Sequence, residues 1–558
     1  MTGFKFRNDL AETVFYSKYA QGQDDTWPSL ARRLVDDVCG PTARSPALMS
    51  KDDRAQLVDY ITRMYFMPGG RYLYYAGRPM KAYNNCYLLR AEEDTREEWA
   101  ALMQRSISCL MLGGGIGVDY SRLRPKGSIL KRTGGVASGP IPLMLAINEI
   151  GRNVMQGGSR RSAIYASLNW QHADAPDFLR AKNWNDVTVW EDGDLLLTQA
   201  DLKAFNFNAT APLDMTNISL NYDDAWLRTP DRAMNPTFLK NVEQALSTGE
   251  PGFSFNFGAQ QNETLRNACT EVTSEDDSDV CNLGSVNMAA VPDLATFKDV
   301  VRLGSKFLVC GTIRADLPYD KVYEVRQKNR RLGLGLMGMH EWLMRRNLDY
   351  RVDPEMSEWL EAYQNESEAA ANEHCDRLFL SRPVAYRAIA PTGTIGLLAG
   401  TTTAIEPLYA VAYKRRYLKN GAQWHYQYVI DATAQHLVDE LGVDPDKVET
   451  AATLAADPTR RLAFQVTVQN YVDQAISSTI NLPAWGTPGN NPDTVLPFAK
   501  VLAAAAPGLR GFTCYPDGAR GGQPITTVPY AEARAQVGME FREHDVCDIT
   551  GKGGVCGV

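Results

Sequence analysis

Asn267-Ala268-Cys269-Thr270-Glu271, followed by Cys281-Asn282-Leu283-Gly284-Ser285, is the stretch on which the fold and function of this chain turn. It holds an amide, a thiol and a carboxylate within five residues, with a second thiol twelve positions after the first. Gly, Asn and Thr surround these groups, which is the chemistry of a loop or strand tip rather than of a helix. A carboxylate near a cysteine raises the thiol's pKa and opposes simple thiolate nucleophilicity. The residues alone leave two readings. One is a cysteine that carries a hydrogen atom beside an acid/base partner. The other is a buried structural cysteine in a chance N-x-C-x-E pentapeptide.

A chain of 558 residues can build two or three ordinary domains, or one large barrel with attachments. Its 44% hydrophobic and 22% charged residues are those of a soluble globular protein. A net charge of −8 argues against a general nucleic-acid backbone binder, while local basic patches can still grip nucleotide phosphates. No run of about eighteen apolar residues occurs. Charges within Met1 to Leu10 interrupt the apolar core a signal peptide needs, so a cytoplasmic protein without membrane contact is expected.

Ten cysteines in such a chain are not a disulfide scaffold. Neither C-x-x-C nor H-E-x-x-H occurs and the six histidines are scattered, so no metal site is expected. Cys86, Cys269, Cys281, Cys547 and Cys556 lie in loop-like contexts. Cys39, Cys109, Cys310 and Cys375 read as structural.

The first eighty residues read as a helical region, with Leu30-Ala31-Leu34-Val38 and Leu57-Ile61-Met64 as apolar stripes. Asn84 to Leu89 reads as a turn entering a short buried strand. A helix through Trp99 to Leu110 ends at Gly113-Gly114-Gly115, and another spans Pro140 to Met155. Strand-like and helix-like pieces then alternate, with further helices expected over Met356 to Leu378, Tyr428 to Leu441 and Gln465 to Ile476. Mixed elements over several hundred residues without a linker favour one large α/β unit. The Gly-rich end, Cys547 to Val558, reads as a flexible tail that carries two cysteines.

Pro391-Thr392-Gly393-Thr394-Ile395-Gly396 has the composition of an anion-binding loop, or of a simple tight turn. No Gly-Lys-Ser/Thr follows, so it is not a Walker loop. Gly113 to Gly117 follows a helix rather than a strand, which excludes a Rossmann fingerprint. Arg122, Arg124, Lys126, Lys131 and Arg132 then cluster, and Arg160-Arg161 follows a second Gly-Gly. Such clusters are solvated charged faces or loops that suit a nucleoside triphosphate.

Together these pieces resemble the catalytic subunit of ribonucleotide reductases, specifically the adenosylcobalamin-dependent class. The resemblance runs almost end to end: Asn85-Cys86, Gly113–Ser128, Gly157–Arg161, Gly249–Phe253, Asn267–Glu271, Cys281–Met288, Arg330–Gly338 and Pro391–Ile395. It implies a ten-stranded α/β barrel over 81–535 with a central finger loop, behind a helical region 1–80 that has no ATP-binding cone. Effector loops are expected at 113–132 and 157–163, and a redox tail at 536–558. Cys269 is then the thiyl-radical cysteine that abstracts the ribose 3′ hydrogen. Glu271 takes the 3′-hydroxyl proton, and Asn267 holds substrate hydroxyls. Cys86 and Cys281 form the dithiol that reduces the 2′ carbon. Cys547 and Cys556 re-reduce that pair and are themselves reduced by a thioredoxin-like partner. The resemblance also assigns Asn85, Pro391, Thr392, Gly393, Thr394, Ile395 and Arg160 to the substrate, and Arg124 and Lys131 to a dNTP or ATP effector. A homodimer is expected. Two departures stand out: Ala268 replaces the usual proline, and the tail cysteines are nine positions apart.

In Thr513-Cys514-Tyr515-Pro516-Asp517, Pro516 stands where iron-dependent reductases carry the second of two relay tyrosines. Proline cannot relay a radical, so an external radical donor does not fit. Glycyl-radical reductases lack the counterpart of Glu271. Adenosylcobalamin remains, base-on because no D-x-H-x-x-G motif occurs. The rival readings are an iron-dependent large subunit that needs a radical-donating partner, and a non-catalytic nucleotide-binding regulatory protein with the same fold.

Overall fold

The computed structural model describes residues 4–131, 134–154, 163–192, 195–205, 209–419, 423–519 and 525–542. Ten strands frame it: β1 (Phe66–Pro68), β2 (Cys86–Arg90), β3 (Gly115–Asp119), β4 (Ile164–Asn169), β5 (Thr216–Tyr222), β6 (Gly252–Phe255), β7 (Asp279–Asn287), β8 (Leu332–Met337), β9 (Thr479–Leu482) and β10 (Gly511–Pro516). Strands β2 and β8 are buried along their whole length, as expected for parallel strands covered on both faces.

Strands β2 to β6 pair in sequence order and all run parallel. Beyond β6, β10 pairs antiparallel with it and parallel with β9. On the other side, β7 pairs antiparallel with β2 and parallel with β8. From β8 the path continues through two parallel bridges, Leu334↔Arg387 and Ile389↔Ile476. Hydrogen bonds from Ile389 N to Ala475 O (3.2 Å) and from Ser477 N to Ile389 O (2.9 Å) support the second. Ile476 lies just before β9, so the pairing returns on itself. Counting 387–389 as a strand, two parallel five-stranded halves run antiparallel to each other, as a ten-stranded α/β barrel requires. β1 pairs with the later part of β7, over Gly284 to Val286.

Helices clothe this ring. α1 (Asp9–Lys18), α2 (Trp27–Cys39) and α3 (Lys51–Thr62) precede it, each opened by a side-chain cap: Asn8, Thr26 and Ser50. α4 (Arg96–Met111) joins β2 to β3, α5 (Ile141–Asn153) joins β3 to β4, and α6 (Pro236–Thr248) joins β5 to β6. The central helix α7 (Leu294–Arg314) packs along α8 (Pro354–Arg377), with Phe297 against Trp359. A short helix, α9 (Gly393–Ala399), follows Pro391-Thr392, and α10 (Pro458–Gln469) leads to the second bridge. Cys39, Cys109, Cys310 and Cys375 are all fully buried.

Several expectations need correction. The helix expected from Tyr428 begins at Ala432, because Gln423–Ile430 is a strand paired with Ala412–Lys419. The helix expected over Gln465 to Ile476 is α10: Asp457 caps it, Pro458 starts it, and the backbone after Asn470 is committed to the Ile389 bridge. Gly115–Asp119, inside the expected effector loop 113–132, is barrel strand β3. Glu540–Arg542, inside the expected flexible tail, form a strand on His425–Gln427, with Phe541 stacked on Tyr426. No helix among the described residues is long and apolar enough to cross a membrane. Nor, among them, do three or more His, Cys, Asp or Glu side chains group to hold a metal ion.

Candidate active site

Leu265–Arg266 and Thr273–Ser274 pair antiparallel and form the stalk of a hairpin whose tip is residues 267–272. The tip is built by its own side chains. Asn267 Oδ1 accepts the Val272 N–H at 3.0 Å, and Thr270, at φ 70°, donates its N–H to Asn267 O at 3.0 Å. Asn267 and Glu271 are buried, Ala268 is 2% exposed, and Cys269 is half-buried.

Two glycines of β3 let the hairpin pass. A Cβ on Gly117 would lie 1.7 Å from Arg266 O, so the two backbones are in direct contact. A Cβ on Gly115 would lie 3.1 Å from Ala268 Cβ and 3.4 Å from Cys86 Sγ. The small side chain at 268 is what lets the tip rest against this strand.

The stalk is held from the other side by buried charge. The Arg266 guanidinium donates to Ser254 Oγ (3.0 Å), Asn256 Oδ1 (2.7 Å), Phe255 O (3.2 Å) and Arg510 O (2.8 Å). Burial, and then the neighbouring Arg510 cation, pull its pKa down to about 9. Burial pushes the Glu263 carboxyl up, but Arg331 and Arg510 outweigh that and hold it below its ordinary value. Glu263 accepts from Thr273 Oγ1 at 2.6 Å and from Arg510 Nη2 at 2.9 Å. Behind Glu271, its carbonyl accepts the Ala475 N–H at 2.8 Å.

The tip reaches a cleft of about 650 Å³ lined by Asn85, Cys86, Cys269, Glu271 and the whole loop Pro391 to Ile395. Cys86 opens β2, and Gly115 N donates to Asn85 O at 2.8 Å, which sets the entry to the strand. Across the β2–β7 ladder Cys86 and Cys281 are directly opposite residues, and Gly115 continues the same row on β3. In the loop, Thr392 takes the left-handed conformation (φ 51°) and its hydroxyl accepts the Ala404 N–H at 2.8 Å. Around the Cβ position of Gly393 nothing stands within 4 Å, so the start of α9 is open to the cleft.

Arg124 and Lys131 do not line this cleft. Arg124 is exposed and tied to Asp94 through its side chain and through its own N–H at 3.0 Å. Arg160, Cys547 and Cys556 lie outside the described residues. Sequence reasoning missed one wall of the cleft, formed by Ser17, Lys18 and Tyr19 of the N-terminal helix together with Gly69, Gly70, Arg71 and Tyr74. Pro68-Gly69-Gly70 carries a turn signal, but nothing local marks α1 as a cleft wall.

The family described as "Ribonucleotide reductase, barrel domain" matches residues 84–227, 236–373 and 382–506. The chain belongs to the ribonucleotide reductase family. A vitamin B12-dependent ribonucleoside-diphosphate reductase of Mycobacterium tuberculosis (strain CDC 1551 / Oshkosh) is 27% identical over 548 residues, 86% of this chain and 74% of that protein. One of the same name from Thermoplasma acidophilum is 24% identical over 483 residues, 76% of this chain and 60% of that one. Among solved structures, the Actinobacillus ureae class Id ribonucleotide reductase alpha subunit superposes with a TM-score of 0.69 at 16% identity. The overlap covers 92% of this chain and 98% of the subunit, and shows that this ribonucleotide reductase has the same fold.

Proposed function

We propose that this ribonucleotide reductase is the catalytic chain of an adenosylcobalamin-dependent enzyme that reduces ribonucleotides, taken as diphosphates, to 2′-deoxyribonucleotides. One observation carries the reading: Cys86, Cys269, Glu271 and the Pro391–Ile395 loop line a single cleft. The relatives named vitamin B12-dependent support the cofactor, as does Pro516 at the end of β10, where an external radical relay needs a phenol. The residues fit such a group. Cys269 is half-buried at the cleft, where its thiol would meet the group, and among the described residues that line the cleft none is a histidine. When bound, adenosylcobalamin would supply the radical that takes the hydrogen atom from the Cys269 thiol.

Each residue then has a task. The Cys269 thiyl abstracts the ribose 3′ hydrogen while Glu271 takes the 3′-hydroxyl proton and Asn267 holds the sugar hydroxyls. Cys86 and Cys281 supply two electrons and two protons as the 2′-hydroxyl leaves as water, and become a disulfide. Their pairing as opposite residues across β2 and β7 supports this assignment. Cys547 and Cys556 return that disulfide to the dithiol by exchange and pass the oxidation to a thioredoxin-like reductant. Asn85 and Pro391, Thr392, Gly393, Thr394 and Ile395 hold the substrate. Arg124 and Lys131 meet the phosphates of a dNTP or ATP effector, Arg160 couples effector to substrate, and the chain acts as a homodimer.

The test is purified protein with adenosylcobalamin and a dithiol, with each ribonucleoside di- and triphosphate assayed against each effector. Deoxynucleotide should form only with the cobalamin present and not at all with Cys269→Ser. Turnover by Cys269→Ser, or turnover without cobalamin, refutes the mechanism.

A further inference from the structure

One wall of the cleft is made by the end of the N-terminal helix together with Gly69, Gly70, Arg71 and Tyr74. Ser17, Lys18 and Tyr19, at the end of α1, line the same cleft as Pro391 to Ile395. This contact is built rather than incidental, because α1 packs along α9, the helix that follows the loop. Arg7, just before α1, donates to Gly400 O at 2.7 Å, at the turn that ends α9, and pairs with the fully buried Glu341 at 2.8 Å. At the other end of α1, the Tyr19 hydroxyl lies 3.0 Å from where a Cβ on Gly70 would sit. Lys18 therefore projects from a helix whose two ends are both seated.

The charge balance of the cleft singles this lysine out. Among the described residues its lining holds two cations, Lys18 and Arg71, and one carboxylate, Glu271. Arg71 is 7% exposed and already engaged: its Nε donates to Ala82 O at 3.1 Å, its Nη2 donates to Leu112 O, and its guanidinium lies 4.8 Å from the Tyr75 ring centroid. Lys18 is exposed and makes no ion pair or side-chain hydrogen bond among the described residues. A nucleoside diphosphate brings about three negative charges into a cleft whose phosphate loop carries no cation of its own. Among the described residues, the one lining cation that can swing to meet them is an ammonium on a flexible four-carbon stem, that of Lys18.

We infer that Lys18 is a specificity-determining contact for the 5′-phosphate groups of the nucleotide, so that α1 is part of the active site and reads how many phosphates the substrate carries. This rests on the nucleotide-reductase reading of the cleft. It goes beyond that reading by assigning a phosphate contact to a helix outside the matched barrel, which begins at residue 84.

The experiment compares the full chain with Lys18→Gln, Lys18→Glu and Lys18→Arg. Binding of cytidine, CMP, CDP and CTP is measured by calorimetry without reductant, alongside steady-state turnover with cobalamin and dithiol. Cytidine should bind all four proteins alike. For Lys18→Gln the loss should grow with phosphate number and reach about tenfold for CDP, with a matching rise in KM and little change in kcat. Lys18→Glu should lose more, and Lys18→Arg should recover most of the affinity. The inference is overturned if Lys18→Gln binds CDP within about twofold of wild type, or if cytidine and CDP weaken equally, which marks a structural role. Nucleotide binding that depends on Lys18 in a protein that does not turn over would sink the proposed reaction but not this contact. A wild-type protein that binds none of the four ligands would sink both.

Discussion

Replacing Gly117 with alanine adds one methyl group whose nearest neighbours are all backbone atoms, yet it should nearly abolish turnover. The new Cβ would sit 1.7 Å from Arg266 O, 2.8 Å from Arg266 C and 3.3 Å from Asn267 C, all of them backbone atoms of the hairpin. Ordinary contact requires the stalk to retreat by about 1.5 Å. It cannot do so freely, because Arg266 is bound on its other side by four acceptors and Glu271 O is held by the Ala475 N–H. Overpacking of this kind costs about 1–3 kcal/mol, which a protein this size survives. Catalysis is less tolerant: a displacement near 1 Å costs about a hundredfold in rate, and here Cys269 and Glu271 both ride on the displaced tip. Gly115→Ala meets Ala268 Cβ at 3.1 Å and Cys86 Sγ at 3.4 Å, so its loss should be smaller. The assay is kcat at saturating nucleotide, cobalamin and dithiol, with thermal unfolding as the control. A folded Gly117→Ala enzyme with kcat within about twofold of wild type refutes the reasoning.

Two further outcomes are expected. Arg266→Lys keeps the charge but cannot reach four acceptors with one nitrogen, so it should cost about 2 kcal/mol of stability and lower kcat about tenfold, read by denaturant unfolding and turnover; wild-type values in both would dismiss the anchoring role. His340 is 1% exposed, accepts the Leu408 N–H at Nδ1 (3.0 Å), and is held down to about 3 by burial and then by Arg461. Its folded pKa lies below its unfolded one, so the unfolded chain takes up the proton first as pH falls. Stability is full above about pH 6.5 and falls through the window down to about 3, with about 2 kcal/mol gone by pH 5. His340→Gln, which keeps an acceptor without a titrating group, should flatten that acid limb in unfolding midpoints measured from pH 7 to 5.

Much of the cleft's lining was legible in the sequence as residue types at short spacing: a thiol and a carboxylate within 267–271, and a glycine–threonine loop at 391–395. The α/β class and most helices were legible too, since hydrophobic period and caps are local properties. What failed locally failed for a tertiary reason. Gln465 to Ile476 looked helical by composition, but its second half is claimed by a bridge to Ile389 that completes the ring. Tyr428 looked like the start of a helix but belongs to a strand that pairs over its full length.

Only the tertiary structure decided four things: that Cys281 stands opposite Cys86, that Gly117 is a point of backbone contact, that Ala268 fits against Gly115, and that Lys18 lines the same cleft as Pro391 to Ile395. Each depends on segments far apart in the chain brought within a few ångströms. Single-residue chemistry and local period carry no record of such meetings, whereas the packed backbone does.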